Sequence, residues 1–271
     1  MNLDVADRMV WRMAMECRND DVLVVGVGTP VAAAAGMLAR ELLVPDLTVI
    51  AATSVQPAMH DIARPMLEAD FVASVSAGSF AHADLLDLIA RGGITLQFVA
   101  PAQLDQRGRL NASEVPRPDG TKMRLPGPLA LPDVSCLVGR LVGYRAAHSK
   151  RFLVQEVDFV TGLGSADLDT RRTAGLTGVG LTTVITDLGV LRFQPATRTV
   201  KVESVAPGVS IDDVIGRTSF PLETAGFVAE EPPPVEALEL LNRVIDPHGV
   251  RGMEVPHSRV EARARLDAIR V

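Results

Sequence analysis

The chain repeats one local pattern: a short apolar run, a turn of small residues, and a stretch with helical spacing. The first copy runs over Asp21–Val25, turns at Gly26-Val27-Gly28-Thr29-Pro30 and continues as an alanine-rich segment over Val31–Leu43. A proline suits the first turn of a helix, because that position needs no backbone N–H donor. Further short apolar runs predict strands, namely Leu47–Ala51, Phe71–Val75, Ile94–Val99 and Ser135–Val138. This alternation predicts an α/β fold with a three-layer, open, mainly parallel sheet.

The second half of the chain has a different pattern. Residues 101–132 are polar and proline-rich, which predicts a long ordered loop of the kind that often carries function. A β-rich stretch follows, with runs at Phe152–Val160, Thr182–Ile185, Val190–Phe193 and Thr199–Val205. After Pro232-Pro233-Pro234 come two helical segments. We therefore expect an α/β domain over residues 1–231 and a C-terminal helical extension over residues 232–271.

Composition excludes several classes of protein. Of the 271 residues 47% are hydrophobic but only 4% are aromatic, which suits a buried parallel sheet and argues against stacking platforms for single-stranded nucleic acid. The formal charge of −6 has the wrong sign for a nucleic-acid-binding protein. The N-terminus does not read as a signal peptide, and no apolar run is long enough for a membrane span. Cys17 and Cys136 lack a CxxC context, so we expect free thiols and a cytoplasmic protein.

Two small-residue turns are the first candidates for a binding site. Gly26 and Gly28 precede a helix N-terminus, which favours anionic groups, and Gly78 and Ser79 follow the predicted strand Phe71–Val75. In a parallel sheet both turns lie at the carboxyl edge, where open α/β sheets bind ligands. Each turn is equally compatible with a purely structural role.

Other chemistries find little support in the sequence. The histidines include no pair at i, i+4 spacing, so we expect no metal site, and no Gly-x-Ser-x-Gly elbow indicates a serine nucleophile. Glu156 and Asp158 alternate with Val157 in a manner typical of solvent-facing or subunit-facing charges. From the residues alone, the chain is predicted to be an α/β protein that binds an anionic small molecule.

Four segments in order resemble the β subunit of family I coenzyme A transferases of the glutaconate type, over roughly residues 5–225. The Gly26–Pro30 turn resembles the family's Gly-x-Gly-x-Pro, and Gln103–Asn111 resembles its Gln-x-Asp-x-x-Gly-Asn-x-Asn loop, with Arg109 in place of the first Asn. The other two matches are FLVQEVDFVTG at residues 152–162 and ITDLGVLRF at residues 185–193, the latter followed by Pro207-Gly208-Val209. The resemblance implies the CoA-transferase fold.

One departure from the family changes the expected chemistry. The resemblance places the family's nucleophilic glutamate just after Leu47–Ala51, yet no carboxylate lies between Asp46 and Asp61. The nearest candidates for a catalytic role are Ser54 and Gln56, and neither is a strong one. The chain is similar to the β subunit of the ring-cleaving CoA hydrolases of steroid and cholesterol degradation, whose catalytic carboxylate lies on the other subunit.

The resemblance implies a specific set of expectations. This chain would pair with a homologous α subunit in an α2β2 heterotetramer and act on an acyl-CoA thioester, without a bound cofactor or metal and without nucleic-acid or membrane partners. The residues expected to line the substrate and CoA cleft are Gly26, Gly28, Thr53, Ser54, Gly78, Ser79, His82, Gln103, Asp105 and Asn111. The alternatives are a CoA-transferase β subunit and a non-catalytic ligand-binding subunit.

Overall fold

The computed structural model describes residues 4–26, 28–51, 54–57, 61–63, 76–125 and 127–269. The chain forms two compact units. Unit 1 comprises residues 1–88, 94–98 and 231–271, and unit 2 comprises residues 89–93 and 99–230. The boundary predicted at residues 231/232 therefore lies one residue after the point where the chain returns to unit 1.

The described strands and helices alternate along the chain. The strands are β1 Val22–Val25, β2 Thr48–Ala51, β3 Ser54–Val55, β4 Gly78–Ser79, β5 Leu96–Val99, β6 Gln103–Asp105, β7 Leu110–Asn111, β8 Glu114–Pro116, β9 Lys122–Arg124, β10 Arg140–Arg145, β11 Leu153–Val154, β12 Leu181–Thr186, β13 Gly189–Gln194, β14 Thr199–Val205 and β15 Val228–Ala229. The α-helices are α1 Val5–Ala14, α2 Pro30–Leu42, α3 His82–Ala90, α4 Leu131–Leu137, α5 Leu168–Thr173, α6 Ile211–Gly216, α7 Val235–Leu240 and α8 Arg259–Ile269. A π-helical turn, Leu241–Ile245, continues α7, and a 3-10 helix spans Val250–Glu254.

Unit 1 is built on a parallel core of strands. β1 lies between β2 and β5 and is parallel to both, whereas β3 and β4 continue the sheet beyond β2 as antiparallel strands. Helix α2 packs so closely on this sheet that a Cβ at Gly36 would lie 2.7 Å from Leu23 Cδ2. Substitution of this glycine would therefore push α2 away from β1.

The C-terminal segment packs as part of unit 1. Buried Arg251 donates hydrogen bonds from Nη1 to Asp246 Oδ2 at 2.7 Å and from Nε to Asp7 Oδ1 at 2.8 Å. Burial raises the pKa of Asp7, while Arg251 acts in the opposite direction. An ion cluster of this kind is costly to break, because removing one partner leaves an uncompensated buried charge.

Unit 2 contains a mixed sheet and two small accessory sheets. β10 and β12 are parallel, β12–β13–β14 form an antiparallel meander, and β15 joins β14 in parallel. Strands β11, β6 and β7 form a second sheet, and β8 and β9 form a hairpin. Together the two units confirm the predicted α/β class and its β-rich second half.

A buried histidine bridges three segments of unit 2. The ring of His148, which is 3% exposed, lies 2.9 Å from Thr186 Oγ1 through Nδ1 and 2.9 Å from Thr218 Oγ1 through Nε2. Because the Thr218 hydroxyl donates to Val214 O, it accepts from the histidine, and we assign the proton to Nε2. Burial lowers the pKa of His148 to about 4, so the ring is neutral near pH 7.

Some predicted elements are corrected by the structure. Ser135–Val138 is not a strand: the helix α4 begins at Leu131, with Pro132 in its first turn, and the strand follows as β10. The segment 101–132 is not one long loop, since it contains the four short strands β6 to β9. Only Leu153–Val154 of the run Phe152–Val160 forms a strand. The predicted strand Phe71–Val75 lies outside the described residues.

None of the helices in the described ranges is both long and apolar enough to cross a lipid bilayer.

Candidate functional site

The carboxyl ends of β1 and β2 lie side by side in unit 1. The two strands run in parallel register, with Val25 opposite Ala51. Gly26 and Gly28 follow β1 directly, and Gly28 has the left-handed φ of +69° that a glycine adopts without strain. The Thr29 hydroxyl closes this turn by donating to Gly26 O at 2.6 Å. The glycine turn therefore lies at the sheet edge predicted from the sequence.

The helix N-terminus behind this turn carries a carboxylate of the same chain. Val31 N, in the first turn of α2, donates to Glu254 Oε2 at 2.8 Å. A carboxylate at a helix N-terminus is stabilised by the free N–H groups and by the helix dipole. The sequence contained no signal for this contact, because Glu254 and Val31 are 223 residues apart.

Ser54 is placed in β3 next to a second group of predicted residues. It is 4% exposed and lies opposite Ser79 of β4 in an antiparallel pair, with Gly78 opposite Val55. Gly78 and Ser79 are exposed, and His82 is exposed at the start of α3. Ser54 and Ser79 are thus neighbours, as a shared cleft requires, whereas Thr53 lies outside the described residues.

Gln56 has its amide engaged at the turn that follows β3. Its Nε2 donates to Leu47 O at 3.0 Å, and its Oε1 accepts from Val49 N and from Arg40 Nη1, each at 3.1 Å. The residue also adopts a left-handed φ of +48°. These contacts support the β2–β3 turn, which favours a structural role over the orientation of a substrate carbonyl.

The motif Gln103–Asn111 in unit 2 forms a hydrogen-bonded network of buried amides. Asn111 Nδ2 donates to Gln103 Oε1 at 2.8 Å, and Gln103 Nε2 donates to Asp158 Oδ2 at 2.6 Å. Asp158 lines a cavity of about 120 Å³ together with Glu114 and Lys122, and these two side chains form an ion pair. Gln103 thereby orients a carboxylate at a cavity that can hold water-sized molecules.

Asp105 closes the turn between β6 and β7. Its Oδ1 accepts hydrogen bonds from the backbone N–H groups of Arg107 at 2.9 Å and Arg109 at 3.1 Å. Gly108 completes the turn with a φ of +74°, where a Cβ would lie 2.7 Å from Ser165 Oγ. Burial raises the pKa of Asp105, although these backbone donors favour the charged form. Asp105 therefore shapes the loop from inside and is 1% exposed.

Two arginines of this turn share one buried carboxylate. Arg107 Nη2 bonds to Asp167 Oδ1, and Arg109 donates from Nε to Asp167 Oδ2 at 3.2 Å. Asp167 also accepts from Gly164 N at 3.2 Å. This hydrogen bonding with Asp167 raises the pKa of Arg109. Arg109, the residue that departs from the family motif, is thus an integral part of the turn.

Arg171, one helical turn after Asp167, supports the same region. Its guanidinium is buried and donates to four backbone carbonyls, those of Gly164, Gly178, Ser135 and Leu163. Burial lowers its pKa. Asp167 and Arg171 were not identified from the sequence, because their partners are brought together only by the fold.

The predicted residues thus form two groups that belong to different units. Gly26, Gly28, Ser54, Gly78, Ser79 and His82 lie in unit 1, whereas Gln103, Asp105 and Asn111 lie in unit 2. Within the described part of the chain, histidine, cysteine, aspartate and glutamate side chains form no group of three or more that could hold a metal ion.

Comparisons with known proteins agree with this architecture. Over 251 residues the chain is 25% identical to the second of the two subunits of glutaconate CoA-transferase from Acidaminococcus fermentans, covering 90% of this chain and 92% of that protein. Over 111 residues it is 35% identical to the cholesterol ring-cleaving hydrolase IpdB subunit of Rhodococcus jostii, covering 40% of this chain and 43% of that protein. The crystal structure of the decarboxylase AibA/AibB superimposes with a TM-score of 0.80 at 25% identity, covering 94% of this chain and 99% of that chain.

A family model described as Coenzyme A transferase matches residues 7–217 and confirms the family predicted from the four motifs. Because this match spans well over half of the sequence and the fold agrees with it, the chain belongs to the coenzyme A transferase family.

Proposed function

We propose that this chain is the β subunit of a heteromeric hydrolase that opens a carbocyclic ring of a steroid-derived acyl-CoA. The observation that carries the proposal is the absence of any carboxylate in the sequence between Asp46 and Asp61, where transferases of this family carry the glutamate that accepts CoA. The 35% identity to a ring-cleaving hydrolase subunit over 111 residues supports the same assignment.

The local structure explains why Ser54 is a poor substitute for that glutamate. Ser54 is 4% exposed, and its backbone is paired within the sheet. A serine hydroxyl needs an adjacent base to become a nucleophile, and none of the hydrogen bonds described for unit 1 joins Ser54 to one. We therefore assign the catalytic carboxylate to a homologous α subunit, in an α2β2 assembly.

The proposed reaction is a hydrolytic carbon–carbon cleavage. A carboxylate base takes a proton from water, the hydroxide oxygen adds to a ring carbonyl carbon, and the bond between this carbon and its neighbour breaks. The electron pair of that bond becomes an enolate conjugated with the thioester, which then takes up a proton. The product gains one water, carries a new carboxylate and keeps its CoA. In this scheme the β subunit lines the cleft and binds the acyl-CoA, which is the substrate, and no other cofactor is required.

The test is reconstitution with the α subunit. The complex is expected to convert a steroid-ring CoA thioester into a product heavier by one water, with CoA retained, and neither chain is expected to do so alone. Release of free CoA by this chain alone would contradict the proposal, as would loss of carbon dioxide from the substrate. We expect the complex in the cytoplasm, where Cys17 and Cys136 remain the free thiols described in the structure.

CoA transfer is the second candidate, favoured by the 25% identity to the glutaconate CoA-transferase chain across 90% of this one. A transferase passes through an enzyme-bound CoA thioester, which hydroxylamine traps as a hydroxamate. A hydroxamate on the complex after incubation with acyl-CoA would favour this candidate over hydrolysis.

A further inference from the structure

Two guanidinium groups at the β6–β7 turn are balanced by a single buried carboxylate. Arg107 and Arg109 both bond to Asp167, which leaves one positive charge in excess at this point. The chain as a whole carries a formal charge of −6, so an anionic ligand depends on local positive sites of this kind.

Both arginines keep donors that Asp167 does not use. In Arg107 only Nη2 bonds to Asp167, and Nε is buried with no hydrogen-bond partner among the described residues. The Arg107 side chain is nevertheless 40% exposed, so its exposed area lies on other atoms, which include Nη1. Arg109 Nη1 lies 3.6 Å from Glu156 Oε1, a loose pair because the Glu156 side chain is 78% exposed.

The turn holds these donors in a fixed geometry. Asp105 binds the backbone N–H groups of both arginines, and Gly108 packs against Ser165. Asp167 itself is anchored by Gly164 N. A preorganised guanidinium pair loses little conformational entropy on binding, and its planar donors match the oxygens of a phosphate or a carboxylate.

We infer that Arg107 and Arg109 form a binding site for an anionic oxygen group of the CoA thioester. The group is either a phosphate of CoA or a carboxylate of the acyl part, and the two have the same recognition chemistry. This inference rests on the proposed function for the identity of the ligand, but the site itself can be tested without turnover.

The test is isothermal titration calorimetry of the complex with three probes. CoA carries phosphates, S-carboxymethylpantetheine carries a carboxylate without phosphate, and pantetheine carries neither. Arg107→Gln and Arg109→Gln are each expected to weaken one of the charged probes by about ten- to a hundredfold, the range of a lost charge-assisted hydrogen bond. Weakening confined to CoA identifies a phosphate, and weakening confined to S-carboxymethylpantetheine identifies a carboxylate.

Matched variants separate recognition from folding. Arg172→Gln removes the same charge from α5, where the side chain is 79% exposed, and is expected to leave all three affinities unchanged. Arg107→Lys keeps the charge and is expected to restore part of the affinity. Unchanged affinity for all probes in Arg107→Gln and Arg109→Gln, or equal weakening for pantetheine and the charged probes, would overturn the inference. Normal CoA binding by a complex that does not cleave rings would reject the proposed function and leave this site standing.

Discussion

Acidification is expected to destabilise unit 2 through His148. The ring is 3% exposed and accepts at Nδ1 while donating at Nε2, so protonation of Nδ1 removes the acceptor that Thr186 uses. Burial lowers its pKa from 6.5 to about 4. In the unfolded chain the same histidine titrates near its ordinary value, so the unfolded state binds more protons between these two pKa values.

The magnitude follows from this difference in pKa. The folded-state pKa lies below the unfolded one, so the contribution of His148 to stability is complete above about pH 6.5 and is lost as the pH falls toward 4. A difference of about 2.5 pKa units corresponds to about 3 kcal/mol over the whole window. Between about pH 7 and pH 5 the loss amounts to about 2 kcal/mol.

Urea unfolding of the wild type and His148→Gln at a series of pH values measures this effect. Glutamine does not titrate, so its free energy of unfolding lacks the His148 contribution to the pH dependence. The stability difference between the two proteins is expected to shrink by about 2 kcal/mol from pH 7 to pH 5. Parallel pH profiles for the two proteins would refute the assignment of a neutral, buried ring with a lowered pKa.

Three further variants test individual contacts. Asp167→Asn is expected to lower the free energy of unfolding by about 1.5–3 kcal/mol, because it removes the charge shared by Arg107 and Arg109, whereas Asp169→Asn on the same helix changes it by less than about 0.5 kcal/mol in urea titrations. Glu254→Ala is expected to cost about 1 kcal/mol by removing the cap from Val31 N, and Glu254→Gln less; equal losses in thermal unfolding would contradict a role for the charge. Gln56→Ala is expected to cost about 1–3 kcal/mol in urea unfolding with kcat of the complex unchanged, and a selective loss of kcat would instead make Gln56 a catalytic residue.

Prediction from sequence succeeded where the signal was local. The strand, glycine turn and helix from β1 to α2 carry their own periodicity and a proline at the helix start, and the structure matches them within one residue at either end. The run Ser135–Val138 failed because a short apolar segment is ambiguous, and Pro132 started a helix through it.

The interior of the candidate site could not be derived in the same way. Asp167 lies 60 residues from Arg107 and 58 from Arg109, and neither periodicity nor spacing links residues at such separations. Asp158 was interpreted as a surface charge from the alternation around Val157, yet it accepts a hydrogen bond from buried Gln103. A single sequence indicates which segments carry a family motif, but tertiary packing determines which side chains complete it.

The most direct test of the account is the fate of the substrate oxygen and of CoA in the reconstituted complex. The complex is incubated with a steroid-ring CoA thioester in water enriched in heavy oxygen, and the product is analysed by mass spectrometry. The account predicts a ring-opened product that retains CoA and carries one heavy oxygen atom in its new carboxylate. Transfer of CoA to an added carboxylic acid, with the ring intact, would contradict it.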